Sequence, residues 1–212
     1  MADESYNDFR LRRFHSLLGI FPIGVFFCEH VVTNSLAFFY GPEKFDEAVL
    51  FLQGLPFVLI MEIAIIGLPI LIHGLLGFYI WWRSKSNPQH YGYTRNWLYF
   101  LQRWTGIVAF IFIIVHVWGM RIAWTFQPDV EHVNFAYVME NLGSPSTILF
   151  YIVGVACSSF HFANGLWNFL IKWGITVGER SQRSMLYVCG VIGVVVFCGF
   201  MFSLAAFVAF IA

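Results

Sequence analysis

Five long apolar stretches alternate with short polar segments along the chain. A helix that crosses the ~30 Å hydrocarbon layer of a bilayer needs about 20 mostly apolar residues, and each stretch meets that length. The pattern predicts an all-α integral membrane protein with five spanning helices, at about 17–40, 56–82, 97–126, 147–173 and 185–211. No repeat or separate soluble domain is apparent, so residues 1–212 are expected to form one transmembrane domain.

The composition agrees with this pattern. The chain is 59% hydrophobic and 11% charged, whereas a soluble domain carries about 25% charged residues. Such a composition points to lipid as the surrounding medium, and no nucleic-acid partner is expected. The four cysteines lie in apolar runs without CxxC or CxxCH spacing, which excludes a redox dithiol motif and covalent c-type haem attachment.

The distribution of positive charge predicts the orientation. Short cytoplasmic loops are enriched in Lys and Arg. Ten of the twelve basic residues fall on one predicted side of the bundle, and the other two, Lys44 and Arg121, fall on the side that holds most of the loop acids. The basic side is therefore expected to be cytoplasmic, with the N-terminus inside and the C-terminus outside. "Inner" and "outer" below refer to this orientation.

Each of the first four predicted spans carries one histidine far from its ends, whereas the fifth has none. At ~1.5 Å per residue from the basic inner ends, His73 and His161 lie ~15 Å deep, and His30 and His116 lie ~25–30 Å deep. The four thus sort into an inner pair (His73, His161) and an outer pair (His30, His116). Ionisable side chains at such depth are costly and usually mark a functional site.

Two imidazoles at one depth suit haem, whose iron takes one axial ligand from each face of the macrocycle. Two such pairs favour a membrane cytochrome with two non-covalent b haems. Other interpretations stay open: a lone intramembrane histidine is more often a structural hydrogen-bonding group, and buried histidines also serve as proton relays in transporters. A structural zinc site needs four clustered ligands, which the two depths do not allow.

The segments around these histidines carry a family resemblance. They are RRFHSLLGI at 12–20, EHVVTN at 29–34, HGLLGFYI at 73–80, RNWLYFLQRWTGIVAFIFIIVHVW at 95–118 and FHFANGLWNFLIKWGITVGERSQR at 160–183. Together they closely resemble the cytochrome b558 membrane-anchor subunits of succinate dehydrogenase (complex II) from Bacillus-type bacteria. The resemblance covers nearly the full chain and is weakest in the loop at 127–145 and in the fifth span.

The resemblance implies a multi-pass subunit of the bacterial plasma membrane that anchors a flavoprotein with FAD and an iron–sulfur subunit at the cytoplasmic face. Electrons from succinate would pass through two b haems to menaquinone. His73 and His161 would hold an inner, high-potential haem, and His30 and His116 an outer, low-potential one. The anchor of a quinol:fumarate reductase is the first alternative, and a haemless anchor or proton-relay transporter is the second.

Further residues are candidates for supporting roles. Glu62 and Glu29, in the apolar second and first spans, are possible proton relays to quinone. For Glu62 the competing interpretation is a protonated acid that bonds a neighbouring helix. Possible contacts for haem propionates lie at the inner end of the first span, although the positive-inside rule already explains its arginines; they are Arg12, Arg13, His15 and Ser16.

Overall fold

A computed structural model describes residues 2–127 and 132–209, with side chains from residue 7 onward. Within these residues the regular structure is entirely helical. Two π-helical segments, Glu62–Gly67 and Trp118–Ile122, and a 3₁₀ turn at Ala123–Phe126 continue neighbouring helices. The α-helices are α1 Ala2–Ile20, α2 Ile23–Tyr40, α3 Pro42–Gln53, α4 Val58–Met61, α5 Leu68–Arg83, α6 Thr94–Val117, α7 Phe135–Asn141, α8 Pro145–Lys172 and α9 Glu179–Ala209.

Five of the described helical segments are long and apolar enough to cross a membrane, as the sequence pattern predicts. They are Asn7–Tyr40, Val58–Arg83, Thr94–Phe126, Pro145–Lys172 and Glu179–Ala209. The helix that carries the first span begins before the predicted start of that span at residue 17, because the arginine-rich arm continues the same helix. Its charge is partly matched there by a 2.7 Å ion pair between Arg12 Nε and Asp8. The predicted end of the fifth span at residue 211 lies outside the described residues.

The first span is interrupted once, at Phe21–Pro22. Proline has no N–H to donate to the preceding turn, so α1 ends here and α2 begins at Ile23. The second and third spans deviate instead through their π-helical segments, which insert an extra residue into a helical turn and often accompany functional sites.

Two loops expected to be irregular contain helices. After Gly41, whose positive φ of 89° breaks α2, Pro42 starts α3 at a position where a missing N–H costs nothing. The N-terminus of α7 is held by two side chains: Asn134 Oδ1 accepts the Tyr137 N–H, and Asp46 Oδ1 accepts the Phe135 N–H at 2.7 Å. The search for apolar runs of about 20 residues missed both helices because α3 has 12 residues and α7 has 7.

These two helices close the outer end of the bundle. They pack against the outer ends of α2 and α9 in a group of buried residues, called the outer cluster below. Its members are Ala37, Phe45, Val133, Phe135, Tyr137, Val138, Leu142, Leu204, Ala206 and Phe207.

The fourth span, α8, is the central helix of the bundle. It packs against α1, α6 and α9, whereas the second span packs mainly against α1 and α6. Close approach of α6 and α8 depends on Gly154, since a Cβ there would lie 2.1 Å from the ring of Phe112. This arrangement turns the histidines of the first four spans toward one another.

Candidate functional site

The inner pair lies between the second and fourth spans. The ring centres of His73 and His161 are 6.1 Å apart, and their planes are nearly perpendicular, at 86°. The two side chains come from α5 and α8 and meet at one level of the bundle.

Both inner rings are oriented by backbone carbonyl groups of a neighbouring helix. His73 Nδ1 lies 2.9 Å from the His15 carbonyl oxygen on α1, and His161 Nδ1 lies 2.9 Å from the Gln102 carbonyl oxygen on α6. A carbonyl oxygen only accepts, so Nδ1 must carry the proton in both rings. Nε2 is then left with the lone pair that a metal requires, which is the usual arrangement of metal-binding histidines.

A glycine faces each inner ring. Gly19 and Gly106 stand four residues after the residues that supply the two carbonyl groups. A Cβ at Gly19 would lie 2.6 Å from His73 Cε1, and a Cβ at Gly106 would lie 2.6 Å from His161 Cε1. Carbon atoms in contact are normally about 3.5–4.0 Å apart, so a side chain at either position would displace the ring.

His15 lies in the C-terminal half of α1. The His15 ring stacks on that of His73, with ring centres 4.0 Å apart and planes 15° apart. The His15 carbonyl oxygen accepts the hydrogen bond from His73 Nδ1. Ser16 Oγ, next in the chain, donates to the Arg13 carbonyl and accepts from Trp173 Nε1 at 3.2 Å. The structure thus places His15 beside the inner pair and Ser16 one helix face away, toward α8.

Amide side chains surround His161. Gln102 Nε2 donates to the His161 carbonyl oxygen at 3.0 Å, and Gln102 Oε1 accepts from Asn164 Nδ2 at 2.7 Å. Asn164 is 5% exposed, so this network is buried between α6 and α8. Asn164 Nδ2 also lies within bonding distance of the Leu98 carbonyl oxygen, so four polar bonds join the two helices around this histidine.

The outer pair lies between the first and third spans. The ring centres of His30 and His116 are 5.8 Å apart, with planes at 73°. On each helix a phenylalanine four residues earlier stacks on the histidine ring, Phe26 at 5.4 Å and Phe112 at 5.6 Å. The outer rings are thus packed by aromatic side chains of their own helices.

The hydrogen-bond partners of the outer rings are side chains. His116 Nδ1 lies 3.1 Å from the hydroxyl oxygen of Tyr151 on α8. Asn34 Nδ2 lies 3.3 Å from His30 Nδ1 and donates a shorter bond, 2.8 Å, to the His30 carbonyl oxygen. The outer level therefore depends on side-chain groups where the inner level uses the backbone.

The distance between the inner and outer levels can be counted in residues along the third span. Gly106, which faces His161, and His116 are ten residues apart on this span, a rise of about 15 Å. Among the described residues no three His, Cys, Asp or Glu side chains converge into a metal site. Each pair thus offers two imidazoles, and the third inner ring, that of His15, stacks on His73 without completing a three-ligand site in the described part of the chain.

A pair of imidazoles suits a metal ion that already has its other ligands from a bound cofactor. A metal–imidazole bond is about 2 Å, so two rings on opposite sides of one ion have their centres roughly 6 Å apart. The inner and outer spacings of 6.1 Å and 5.8 Å match this value. Haem iron carries four ligands in its macrocycle and needs two axial ones, so the donor set of each pair fits haem.

A half-buried arginine at the inner rim also fits a carboxylate-bearing group. The Arg13 guanidinium lies over the Trp173 ring, 4.0 Å from its centre. In the described part of the chain, Arg13 Nε is buried without a hydrogen-bond partner. Arg12, by contrast, is already paired with Asp8. Of the two predicted arginines, Arg13 is the one with an unused buried donor.

Glu62 and Arg121 form an ion pair beside the outer level. Arg121 Nε donates to both carboxylate oxygens at 3.0 and 3.1 Å, and Nη2 donates to Oε2 at 2.7 Å. Each residue belongs to one of the two π-helical segments. Glu62 thus bonds the neighbouring third span through both carboxylate oxygens. Glu29 accepts from Thr33 one turn later on its own helix.

Sequence analysis missed four residues that shape these sites: Gly19, Gly106, Gln102 and Tyr151. A spacing signal existed for the glycines. Gly19 precedes His30 by eleven residues, and Gly106 precedes His116 by ten. The first and third spans thus each carry an outer histidine and, about three turns inward, a glycine that faces an inner histidine.

Comparison with known proteins identifies the family. The family model for the succinate dehydrogenase/fumarate reductase transmembrane subunit matches residues 85–200. The succinate dehydrogenase cytochrome b558 subunit of Bacillus subtilis (strain 168) is 48% identical over 181 residues, covering 85% of this chain and 88% of the relative. The chain belongs to the succinate dehydrogenase/fumarate reductase transmembrane subunit family. It is thus a membrane subunit of an oxidoreductase complex, as the resemblance implies.

Proposed function

We propose that this chain is the di-haem anchor of a succinate:menaquinone oxidoreductase. His73 and His161 would bind one b haem and His30 and His116 a second. The observation that carries the proposal is the pair of ring spacings, 6.1 and 5.8 Å, at two levels about 15 Å apart. Haem at these positions supplies one-electron carriers within the hydrocarbon layer.

The protein's own groups support such binding. The carbonyl groups of His15 and Gln102 keep the Nδ1 protons of the inner ligands in place, so Nε2 of each ring has no proton and is free to bind iron. The stacked rings of Phe26 and Phe112 exclude water from the outer ligands. Arg13, with its unused Nε at the inner rim, offers a partner for a propionate.

The quinone is expected at the outer level. Quinone reduction consumes protons as well as electrons, and Glu62 is the acid nearest this level on the second span. Its bond to Arg121 keeps the carboxylate in a partly buried position between two π-helical segments. An electron that moves from the inner side to this level crosses part of the membrane field, which is worth about 2.3 kcal/mol per charge for a full 100 mV drop.

Partners follow from the charge on the inner side. The basic residues at that rim suit a subunit that delivers electrons there, and we propose an iron–sulfur subunit that is reduced in turn by a flavoprotein with FAD. A quinol:fumarate reductase anchor is the second candidate, because the same histidine pairs serve electron flow in either direction. The family description covers both kinds of complex.

Haem stoichiometry tests the proposal. Pyridine-haemochrome assay of the purified complex should give two b haems per chain, with dithionite-reduced minus oxidised spectra of the b type. His73→Leu should remove the inner haem alone, and His116→Leu the outer haem alone. His132→Leu, which changes a histidine in the outer loop, is the matched control and should keep both. Unchanged haem content in both pair variants would refute the ligand assignment.

A further inference from the structure

The outer histidine pair has a polar partner on a third helix, the fourth span. Tyr151 lies on the fourth span, ten residues outward of His161. Its hydroxyl oxygen is 3.1 Å from His116 Nδ1. The fourth span therefore provides a ligand at the inner level and a hydrogen-bonding group at the outer level.

The relation between the third and fourth spans is reciprocal. The third span gives the Gln102 carbonyl to His161 on the fourth, and the fourth gives the Tyr151 hydroxyl to His116 on the third. A backbone carbonyl is present whatever the side chain is. Of these two acceptors, only the Tyr151 hydroxyl can be removed by a point substitution.

The protonation of His116 decides which group donates in the hydrogen bond between His116 and Tyr151. His116 Nδ1 is in contact with Tyr151, which leaves Nε2 for iron; if His116 binds iron through Nε2, its Nδ1 carries the ring proton and donates it. The hydroxyl oxygen of Tyr151 is then the acceptor. An acceptor at this nitrogen makes the imidazole a stronger electron donor to the metal.

Packing holds the tyrosine in place. Its ring makes edge contacts with Phe112, at 5.3 Å, and with His116, at 5.7 Å. It also packs against both the outer cluster and the buried group around Phe112, Val155, Val196 and Phe200. A ring wedged between two clusters keeps its hydroxyl at a fixed position relative to His116.

We infer that Tyr151 is a positioning residue for the outer haem, which sets the orientation of His116 and lowers the reduction potential of that haem. This inference rests on the proposed function. A stronger electron donor stabilises the oxidised, more positive iron, and second-shell hydrogen bonds are one of the means by which proteins tune haem potentials. Removal of the hydroxyl should therefore make the outer haem easier to reduce.

The test is a redox titration of the purified complex carrying Tyr151→Phe, which removes one oxygen atom and keeps the ring. The midpoint potential of the outer haem should rise, while that of the inner haem stays unchanged. Tyr137→Phe is the matched control: the Tyr137 hydroxyl, in the outer cluster, donates to the Gly119 carbonyl at 2.8 Å and, among the described residues, bonds no histidine. This control should leave both potentials at their wild-type values.

Each outcome decides between the alternatives. Selective loss of the outer haem in Tyr151→Phe also supports the inference, because the hydroxyl then holds the ligand in place. Equal shifts of both haems, no shift, loss of both haems, or the same shift in Tyr137→Phe would overturn it. If the variant does not accumulate, wild-type complex grown on 3-fluorotyrosine, whose hydroxyl is a weaker acceptor, should show the same selective rise, and its absence counts against the inference. A wild-type complex without an outer haem would instead refute the proposed function.

Discussion

The inner and outer histidine pairs have nearly the same ring spacing but are held by different parts of the protein. The inner rings donate to carbonyl groups of the backbone and lie against glycines on the neighbouring helix. The outer rings lie against phenylalanines of their own helices and have a tyrosine hydroxyl and an asparagine amide as polar neighbours. One geometry is thus produced by two kinds of support.

This difference determines what substitutions can change at each level. At the inner level the acceptors belong to the fold, so a side chain can disturb the rings mainly by occupying the space that Gly19 and Gly106 leave open. At the outer level the acceptor is itself a side chain, so its chemistry can be altered without moving the helices. We therefore expect steric sensitivity at the inner pair and electronic sensitivity at the outer pair.

The largest effect is expected from a methyl group at the inner level. Gly106→Ala places a Cβ 2.6 Å from His161 Cε1, so the ring must move and its 2.9 Å bond to the Gln102 carbonyl must lengthen or break. Overpacking of this kind costs about 1–3 kcal/mol. This corresponds to a roughly five- to 150-fold smaller population of the ring orientation that binds haem. Haem assay should show selective loss of the inner haem, with the outer haem retained.

Gly190→Ala is the control for this experiment, because a Cβ at Gly190 on α9 meets nothing within 4 Å. Gly19→Ala should reproduce the loss through His73, at the same 2.6 Å distance. Inner haem at wild-type levels in both Gly19→Ala and Gly106→Ala would show that the rings have room to move. The expectation that the inner pair is sensitive to steric changes would then be wrong.

The sequence was sufficient to predict the five spans, because runs of about 20 apolar residues have few other uses. It was also sufficient to sort the four deep histidines by level, since depth in a helix follows from residue count. The structure brings His73 next to His161 and His30 next to His116, the two pairs that counting predicts. Their role as haem ligands remains a prediction.

The supporting residues were harder to find because their roles depend on the packing of one helix on another. Gln102 contributes through its carbonyl group, which every residue has, so no sequence pattern marks it. Tyr151 is one of nine tyrosines, and only the register of the fourth span against the third brings its hydroxyl to His116. Arg121 was one of two outer basic residues, and its pairing with Glu62 required the relative rotation of the second and third spans.

A smaller effect is expected at the ion pair beside the outer level. Arg121→Leu leaves the partly buried Glu62 carboxylate without its three hydrogen bonds, at a cost of about 1–3 kcal/mol. Glu62→Leu with Arg121→Leu removes both charges and should recover much of that loss. Thermal denaturation of the purified complex, followed by the haem absorbance, measures both variants.

The control for the ion pair is Lys44→Gln, which breaks the exposed Lys44–Glu47 pair on α3. Exposed pairs contribute about 0–1 kcal/mol, so this variant should melt close to the wild-type temperature. If Arg121→Leu were no more destabilised than Lys44→Gln, the Glu62–Arg121 pair would contribute no more to stability than a surface pair. The outer level would then depend less on side chains than its contacts suggest.

The smallest effect separates backbone from side-chain support directly. Gln102→Leu removes the bonds from Gln102 to the His161 carbonyl and from Asn164, yet the Gln102 carbonyl that accepts from His161 Nδ1 remains as that of the new residue. Interhelical side-chain bonds in membranes contribute about 0.6–1.7 kcal/mol, so the melting temperature should fall slightly. Redox titration should show an unchanged inner potential, in contrast to the outer shift expected for Tyr151→Phe. A clear shift of the inner potential would mean that the amide network tunes His161, and that both levels rely on side chains.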